Sequence, residues 1–143
     1  MACVEGDLGK KINELMEKSN EKYDEGNYKQ SIELLKTAWD FIPEDKNKYD
    51  ESFLIVWGIL DIAILVNDIE TMNSWVEKIF KADPERGDFG EREMWAGKVA
   101  FESGNKEKAM HYFDVANKKS RGRCFSSEGD FKYKEFFIKE KCK

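Results

Sequence analysis

The stretch "ADPERGDFGEREMW", residues 82–95, contains the residue types of a ligand-binding loop, with five carboxylates around two glycines and a proline. Asp83, Glu85 and Asp88 lack the alternating acids followed by glycine of a calcium-binding EF-hand. No Gly-Lys-Ser/Thr triplet follows to hold a phosphate. Pro84 would instead end one helix, and Glu91, three residues after Asp88, has the spacing of a capping box. The stretch is therefore predicted to connect two helices.

No other set of residues has the spacing of a catalytic or metal site. His111 is the only histidine, so Ser–His or Cys–His catalysis would depend on that residue. Cys3, Cys124 and Cys142 share neither zinc-ligand spacing nor the spacing of a disulfide framework. Carboxylates are abundant, but nothing favours a particular pair for hydrolysis. We therefore expect a non-enzymatic protein without cofactor or metal, in the reducing cytoplasm.

The charge of the chain restricts its partners. Among 143 residues, 37% are charged and the net charge is −5, which argues against binding to nucleic acid or anionic lipid. Residues 1–71 contain 8 Lys/Arg and 16 Asp/Glu, a net charge of −8, whereas residues 72–143 have a net charge of +3. The acidic half suits a basic partner, and ordinary solvated helix faces are the alternative explanation.

Two segments bear on membrane association. The start, "MACVEGDLGKK", has no apolar core of a secretory signal. The run "FLIVWGILDIAILV", residues 53–66, has 14 residues and contains Asp61. It falls short of the ~20 apolar residues that span a bilayer. We expect no membrane contact, and a central helix buried on most sides.

The chain contains three similar segments, which begin "YDEGNYKQSIELLKTAW", "LVNDIETMNSWVEKIF" and "FESGNKEKAMHYFDVAN". Superposing Gly26, Asn67 and Gly104 aligns small and apolar positions at helical spacing. The aligned sets are Ser31, Met72 and Ala109; Leu35, Val76 and Phe113; and Ala38, Ile79 and Ala116. The pattern predicts three helical hairpins, in which Asn27, Asp68 and Asn105 cap the second helices and Asn27 forms a capping box with Gln30.

The basic tail after residue 117 has two interpretations. Its cations complement the end of the sixth helix, or they form a nucleic-acid patch, which the net charge of the chain disfavours: Lys118, Lys119, Arg121 and Arg123. Phe131, Phe136 and Phe137 are predicted to pack a seventh helix on the last pair. The seven predicted helices lie near residues 10–25, 28–42, 50–66, 69–82, 89–103, 106–120 and 130–140.

These segments resemble the tetratricopeptide repeat, a helix–turn–helix unit of about 34 residues. The resemblance rests on Gly-Asn-Tyr at 26–28, the small–large–small positions, and Pro43 and Pro84 at the unit ends. It covers residues 10–121, with longer spacings, Leu60 at a normally small position and Arg121 in place of proline. It implies one all-α domain, 1–143, of three stacked tetratricopeptide-like hairpins (10–43, 50–84 and 89–121) and a C-terminal capping helix within 122–143.

In that family the first helix of each pair lines a concave groove. Transferring the groove positions implies a mostly acidic, partner-binding surface with aromatic anchors: Asn20, Tyr23, Asp24, Trp57, Asp61, Lys98, Phe101 and Glu102. The groove lacks the basic residues with which chaperone-binding members of the family clamp a carboxylate. This composition favours a protein partner.

The segments "YKQSIELLKTAWDFIPE", "DPERGDFGE" and "KKSRGRCF" are also similar to small bacterial tetratricopeptide proteins found with polymorphic toxins of the Rhs and contact-dependent inhibition systems. That resemblance implies an immunity protein that binds and neutralises one cognate toxin domain, which would present a basic surface. A generic adaptor that binds an extended peptide is the alternative. A hydrolase would show turnover that depends on one carboxylate or on His111. The identity of the partner, its contact face and the oligomeric state are left open.

Overall fold

The computed structural model describes residues 3–82 and 89–143, and these ranges contain seven α-helices and no β-strand. The predicted all-α fold class is therefore confirmed. The helices are α1 (Gly6–Asp24), α2 (Tyr28–Phe41), α3 (Asp50–Leu65), α4 (Ile69–Lys81), α5 (Glu91–Glu102), α6 (Lys106–Lys119) and α7 (Phe131–Lys141).

The first helix begins earlier than predicted, at Gly6 rather than near residue 10. Glu5 is its extended N-cap residue, and the buried Val4 precedes it. The Val4 amide donates a hydrogen bond to Oε2 of Glu51 in α3, at 2.8 Å. This hydrogen bond joins the residue before the N-cap of α1 to the first turn of α3.

The chain divides into two compact units, Met1–Glu85 and Arg86–Lys143. In the first unit, α1 packs against α2, α2 against α3, and α3 against α4. In the second unit, α5 packs against α6 and α6 against α7. A single repeat domain over residues 1–143 stays a prediction.

The turns inside the three helix pairs have the same geometry at the aligned positions. Gly26, Asn67 and Gly104 have φ values of 80°, 59° and 86°, the left-handed conformation that ends many helices. In each turn the next residue donates its amide to the carbonyl five residues back, at 2.8 Å: Asn27 to Lys22, Asp68 to Ala63 and Asn105 to Ala100. The superposition of these three positions, made from sequence, therefore predicts the turns correctly.

The predicted caps of the second helices form in two of three cases. Asp68 accepts a hydrogen bond from the Thr71 amide at 3.2 Å, and Asn105 accepts one from the Lys108 amide at 3.1 Å. Asn27 is the N-cap residue of α2, but its side chain makes no capping hydrogen bond. The predicted capping box with Gln30 is therefore wrong, because position alone does not orient the Asn27 amide.

This difference predicts unequal effects of alanine substitution. Asp68→Ala and Asn105→Ala should each lower the free energy of unfolding by about 0.5–2 kcal/mol, the usual loss of a side-chain N-cap. Asn27→Ala is the matched control and should cost less, since no capping bond is lost. Urea unfolding followed by circular dichroism measures all three. Equal losses at the three positions would contradict the observed capping.

The Asp68 cap should also depend on pH. The hydrogen bond from the Thr71 hydroxyl, at 2.7 Å, and the one from its amide hold the pKa of Asp68 below its ordinary value. A carboxyl with a lowered folded-state pKa stabilises the fold at neutral pH, and this contribution disappears as pH falls from the ordinary carboxyl pKa through the lowered one. The Asp68→Ala loss should therefore shrink in acid, while the Asn105→Ala loss stays constant, because an amide does not titrate in this range.

The connector before α5 is only partly described. Asp83, Glu85 and the predicted N-cap Asp88 lie outside the described residues. Helix α5 begins at Glu91 with Gly90 as its N-cap residue, so Glu91 is not the third residue of a helix capped by Asp88. Gly90 has a φ of 82°, and a Cβ there would lie 2.8 Å from the Ala116 carbonyl oxygen. Close contact with α6 therefore requires glycine at this position.

In the first unit, α1 and α2 are joined by two buried serines, Ser19 and Ser31. Ser19 Oγ donates to the Ser31 carbonyl at 2.9 Å, and Ser31 Oγ donates to the Ser19 carbonyl at 2.8 Å. The reciprocal bonds satisfy both hydroxyls at a close helix approach. Trp39 and Trp75 pack edge-to-face with ring centroids 5.5 Å apart.

In the second unit, Phe113 of α6 lies under α7 and is fully buried. Tyr133 and Phe137 of α7 are buried in the same cluster, and Phe136 is partly buried. The packing role predicted for Phe131 is wrong, since its side chain is 70% exposed. The face of α7 that contacts α5 and α6 carries Tyr133, Phe136 and Phe137, and Phe131 lies off that face.

Helix α3 is buried on most sides, as predicted for the apolar run. Its exposed residues lie along one stripe, Leu54, Trp57, Asp61 and Leu65. No helix in residues 3–82 or 89–143 has both the length and the apolar character needed to cross a membrane. The exposed stripe of α3 is the part of this helix that can meet another molecule.

Candidate partner-binding pocket

A pocket of about 280 Å³ lies in the first unit, lined by residues of α1, α2 and α3. The buried side chains of Leu35 and Ile62 and the partly buried Met16 form its apolar part. Ser19 and Ser31 also line it, but their hydroxyls bond to each other and to backbone carbonyls. The deep part of the pocket is therefore apolar in character.

Gly58 lies at a close approach between α3 and α2. A Cβ built on Gly58 would lie 3.0 Å from Leu35 Cδ1, a contact tight enough that the leucine side chain would have to shift. Gly58 and Leu35 both line the pocket. Glycine at position 58 therefore lets the two helices pack closely at the pocket wall.

The outer part of the pocket is polar and aromatic. Asn20 and Tyr23 of α1 and Asp61 of α3 line it, and all three are exposed. Tyr28 packs edge-to-face on Tyr23 with ring centroids 5.4 Å apart, which holds the Tyr23 ring in place. Asp61 is the one carboxylate among the described residues that line this pocket, and they include no Lys, Arg or His.

The structure brings together three of the eight predicted binding residues, Asn20, Tyr23 and Asp61. Asp24 is exposed at the end of α1, and Trp57 precedes Gly58 with 39% of its surface exposed. Trp57 packs edge-to-face on Phe53 at 5.8 Å. Neither Asp24 nor Trp57 lines the pocket itself. Both lie on the helices that form it.

The other three predicted residues lie in the second unit and contact the C-terminal segment. Lys98 Nζ is 2.8 Å from Asp130 Oδ1 and lies 4.6 Å from the centre of the Trp95 ring. Glu102 accepts a hydrogen bond from the Tyr133 hydroxyl at 2.9 Å and pairs with Lys132 at 2.5 Å.

Phe101 completes this contact with α7. Its ring centroid is 5.3 Å from that of Tyr133 and 5.0 Å from that of Phe136. Intramolecular contacts thus occupy much of the surface that Lys98, Phe101 and Glu102 were predicted to offer a partner. Their partner-binding role stays a prediction, with less accessible surface than the pocket residues of the first unit.

Sequence reasoning missed several residues that shape these surfaces. Gly58, Leu35 and Leu54 line the pocket, and Asp130 and Tyr133 engage Lys98 and Glu102. A glycine within the longest apolar run was a usable signal for Gly58, since glycine inside a helix often marks close approach. The partners of Lys98 and Glu102 had no such signal, because they lie about thirty residues away.

Two residues of the basic cluster at the end of α6, Lys118 and Lys119, form ion pairs within the protein. Lys118 Nζ is 3.0 Å from Asp114 Oδ2, and Lys119 pairs with the buried Glu93. Lys141 of α7 also pairs with Asp114, at 2.7 Å. The paired lysines link α6 to α5 and α7, which supports the interpretation of the cluster as part of the helix packing.

The thiols of Cys3 and Cys124 are not activated for nucleophilic chemistry. Burial raises the pKa of the Cys124 thiol, and a hydrogen bond to Asp50 raises the pKa of Cys3. A raised pKa keeps these thiols protonated at neutral pH, and the protonated form is the poor nucleophile. His111 is exposed on α6, beside the Tyr112 ring.

Comparison of the chain with protein-family models, curated proteins and solved structures yields no match. Within the described ranges, no three His, Cys, Asp or Glu side chains are grouped as a metal site would need. The pocket of the first unit, lined by apolar residues and by Asn20, Tyr23 and Asp61, is a candidate site.

Proposed function

We propose that this chain is a non-enzymatic binding module built from tetratricopeptide-like hairpins, α1–α2, α3–α4 and α5–α6, with α7 as a capping helix. The common turn geometry at Gly26, Asn67 and Gly104 supports the repeat. So does complete burial at Ala38, Ile79 and Ala116, the aligned small or apolar positions. The contacts of Tyr133, Phe136 and Phe137 with α5 and α6 support the cap.

The proposed function is that of a cytoplasmic immunity protein, which binds a basic toxin domain one-to-one and neutralises it. The observation that carries this proposal is the pocket of the first unit, where Asn20, Tyr23 and Asp61 surround an apolar interior and the described lining residues include no Lys, Arg or His. It lies in the part of the chain with the −8 net charge. Such a surface attracts a basic protein over distance and offers an anchoring pocket on contact.

The test first identifies the gene that adjoins the gene for this chain; a toxin-like protein encoded there is then coexpressed with this chain in a sensitive host. We expect the cells to survive, and the purified pair to elute as a one-to-one complex. Association followed by stopped-flow fluorescence should slow as salt is raised, because exposed charges act mainly on the association rate. Toxicity that persists at full expression of this chain would refute the immunity function.

A double charge reversal tests which surface the toxin meets. Asp24→Lys with Asp61→Lys should slow association by about tenfold or more, the scale of electrostatic steering. Asp40→Lys with Glu77→Lys is the matched control, since it makes the same change of charge on exposed residues of α2 and α4. Glu102 is left unchanged because it bonds Tyr133 and Lys132, and its reversal would disturb α7. Equal slowing by both pairs would move the contact away from the pocket.

A generic adaptor is the second candidate, favoured by the same pocket, because one anchoring side chain of an extended peptide would fit in 280 Å³. The adaptor predicts that peptides of about ten residues bind as tightly as the folded protein from which they come. The immunity function predicts that the folded toxin binds far more tightly than any of its peptides. Isothermal titration of both forms separates the two candidates.

A further inference from the structure

The turn between α3 and α4 exposes three apolar side chains that its backbone geometry does not require. Leu65, Val66 and Ile69, which together form the turn patch, are 53%, 42% and 41% exposed. The turns after α1 and α5 have the same left-handed residue and the same amide-to-carbonyl hydrogen bond. At the positions equivalent to Leu65 and Val66, those two turns carry polar residues: Asp24 and Glu25, and Glu102 and Ser103. The local fold therefore does not explain the turn patch.

The outer face of α7 is a second exposed apolar surface. Phe131 and Ile138 are 70% and 49% exposed. Seven residues, about two helical turns, separate them, so both lie on the face turned away from the buried Tyr133 and Phe137. The helix that ends a repeat array normally presents a polar outer face to water. Capping therefore does not explain Phe131 and Ile138.

The two surfaces have opposite charge. Residues 49–77, which include the turn patch, contain six acidic residues and no Lys, Arg or His, a net charge of −6. Residues 131–143 contain five Lys and two Glu, a net charge of +3. Glu70 beside the turn patch and Lys134 of α7 are both exposed. Opposite charges would bring the two surfaces together, and their apolar side chains would then exclude water on contact.

The same chain therefore carries an acidic apolar surface and a basic apolar surface that complement each other. We propose that the turn patch of one molecule binds the outer face of α7, at Phe131 and Ile138, of a second molecule. The contact joins two different surfaces, so it is heterologous. The residues of the turn patch do not line the pocket of the first unit, so this inference goes beyond the proposed function and does not depend on it.

Sedimentation equilibrium of the purified full chain tests this contact. One chain has a mass of 16.7 kDa. We expect the weight-average mass to rise above this value between about 10 µM and about 1 mM protein, the range of weak protein contacts. Added salt should lower the mass at a fixed protein concentration, because it screens the attraction between opposite charges. A mass that stays at that of one chain throughout would overturn the inference.

Two variants each remove one of the surfaces. Leu65→Lys and Phe131→Glu should each weaken self-association by about tenfold or more, because a large apolar contact is lost. Both changes suit the helix dipoles, since they place a cation at the end of α3 and an anion at the start of α7. Phe41→Lys is the matched control, because Phe41 is the last residue of α2 and 39% exposed. Equal weakening by Phe41→Lys would refute the assignment of the surfaces.

An equimolar mixture of the two variants tests whether the surfaces bind each other. The intact turn patch of the Phe131→Glu molecule can then meet the intact α7 of the Leu65→Lys molecule. The mixture should associate more strongly than either variant alone at the same total concentration. A mixture that gains nothing would contradict a contact between two different surfaces.

The toxin-like partner is the alternative occupant of the turn patch. If the chain stays monomeric and Leu65→Lys abolishes its complex with that partner, the turn patch binds the partner and this inference is wrong. If the chain self-associates as described but does not protect cells, the proposed function is wrong and this inference holds. The two failures are therefore distinguishable.

Discussion

Phe113→Ala is expected to lower the free energy of unfolding by about 3–5 kcal/mol, the range for removal of a buried phenylalanine. The Phe113 side chain is fully buried. It meets the rings of Phe125, Tyr133 and Phe136, at centroid distances of 5.5, 5.8 and 6.3 Å. Tyr133 and Phe136 belong to α7, and Phe125 belongs to the segment before it. These rings could fill the cavity left by Phe113 only if α7 moved.

Guanidinium unfolding monitored by circular dichroism measures this loss. Phe131→Ala is the matched control, because Phe131 of α7 is 70% exposed and its removal leaves no cavity. Its effect should stay within about 0.5 kcal/mol, as for most surface substitutions. A Phe113→Ala loss as small as that of the control would mean that α7 does not pack on α6 as described.

Gly97 provides an independent check of the Phe113 packing. A Cβ on Gly97 would lie 2.5 Å from the Phe113 Cδ1 and Cε1 atoms. Gly97→Ala should therefore destabilise by about 1–3 kcal/mol through overpacking. In the Phe113→Ala background the same change should cost much less, because the ring that it meets is gone. Additive losses in this double-mutant cycle would contradict the contact.

Leu35→Ala is expected to lower the free energy of unfolding by about 2–5 kcal/mol. Leu35 is 6% exposed. It belongs to the core cluster of the first unit, which also contains Ile12, Ile32 and Ile59. The matched control is Leu65→Ala at the end of α3, where the side chain is 53% exposed. Thermal unfolding followed at 222 nm compares the two.

The Leu35 result also tests the repeat. Leu35 aligns with Val76 and with Phe113, so its burial is what the superposition of the three segments predicts. An unchanged melting temperature for Leu35→Ala would show that this alignment is wrong.

Much of the fold could be predicted from particular residues. The helix ends at the three turns follow from apolar periodicity and from turn residues such as Gly26 and Gly104, whose positive φ is a local property. Burial of Ala38, Ile79 and Ala116 follows as well, because a 3.6-residue period places them on one face of each second helix. These signals lie within a few residues of the structure that they predict.

The capping side chains show where local prediction ends. Asp68, Asn105 and Asn27 occupy equivalent positions, yet the first two accept a bond from the amide three residues later and Asn27 does not. A sequence identifies the residue type that can cap a helix. The side-chain rotamer that makes the bond depends on the surroundings of each turn, which the sequence pattern does not describe.

The candidate site was predictable only in part. Asn20, Tyr23 and Asp61 were found by transferring the groove positions of a resembling family, and the structure places all three around one pocket. The interior of that pocket was not found. Leu35 comes from a second helix, and its close approach to α3 depends on the missing side chain of Gly58.

The sequence by itself determined the all-helical class, the three turns, the acidic first half and the positions that must be small, because all of these depend on residues near one another in the chain. Only the tertiary structure decided that α7 meets Lys98, Phe101 and Glu102 through Asp130, Tyr133 and Phe136, and that Phe131 stays exposed. Which face of a short amphipathic helix packs inward depends on the shape of the surface that receives it. That surface is assembled from helices distant in sequence, so its accessible and covered parts cannot be derived from periodicity alone.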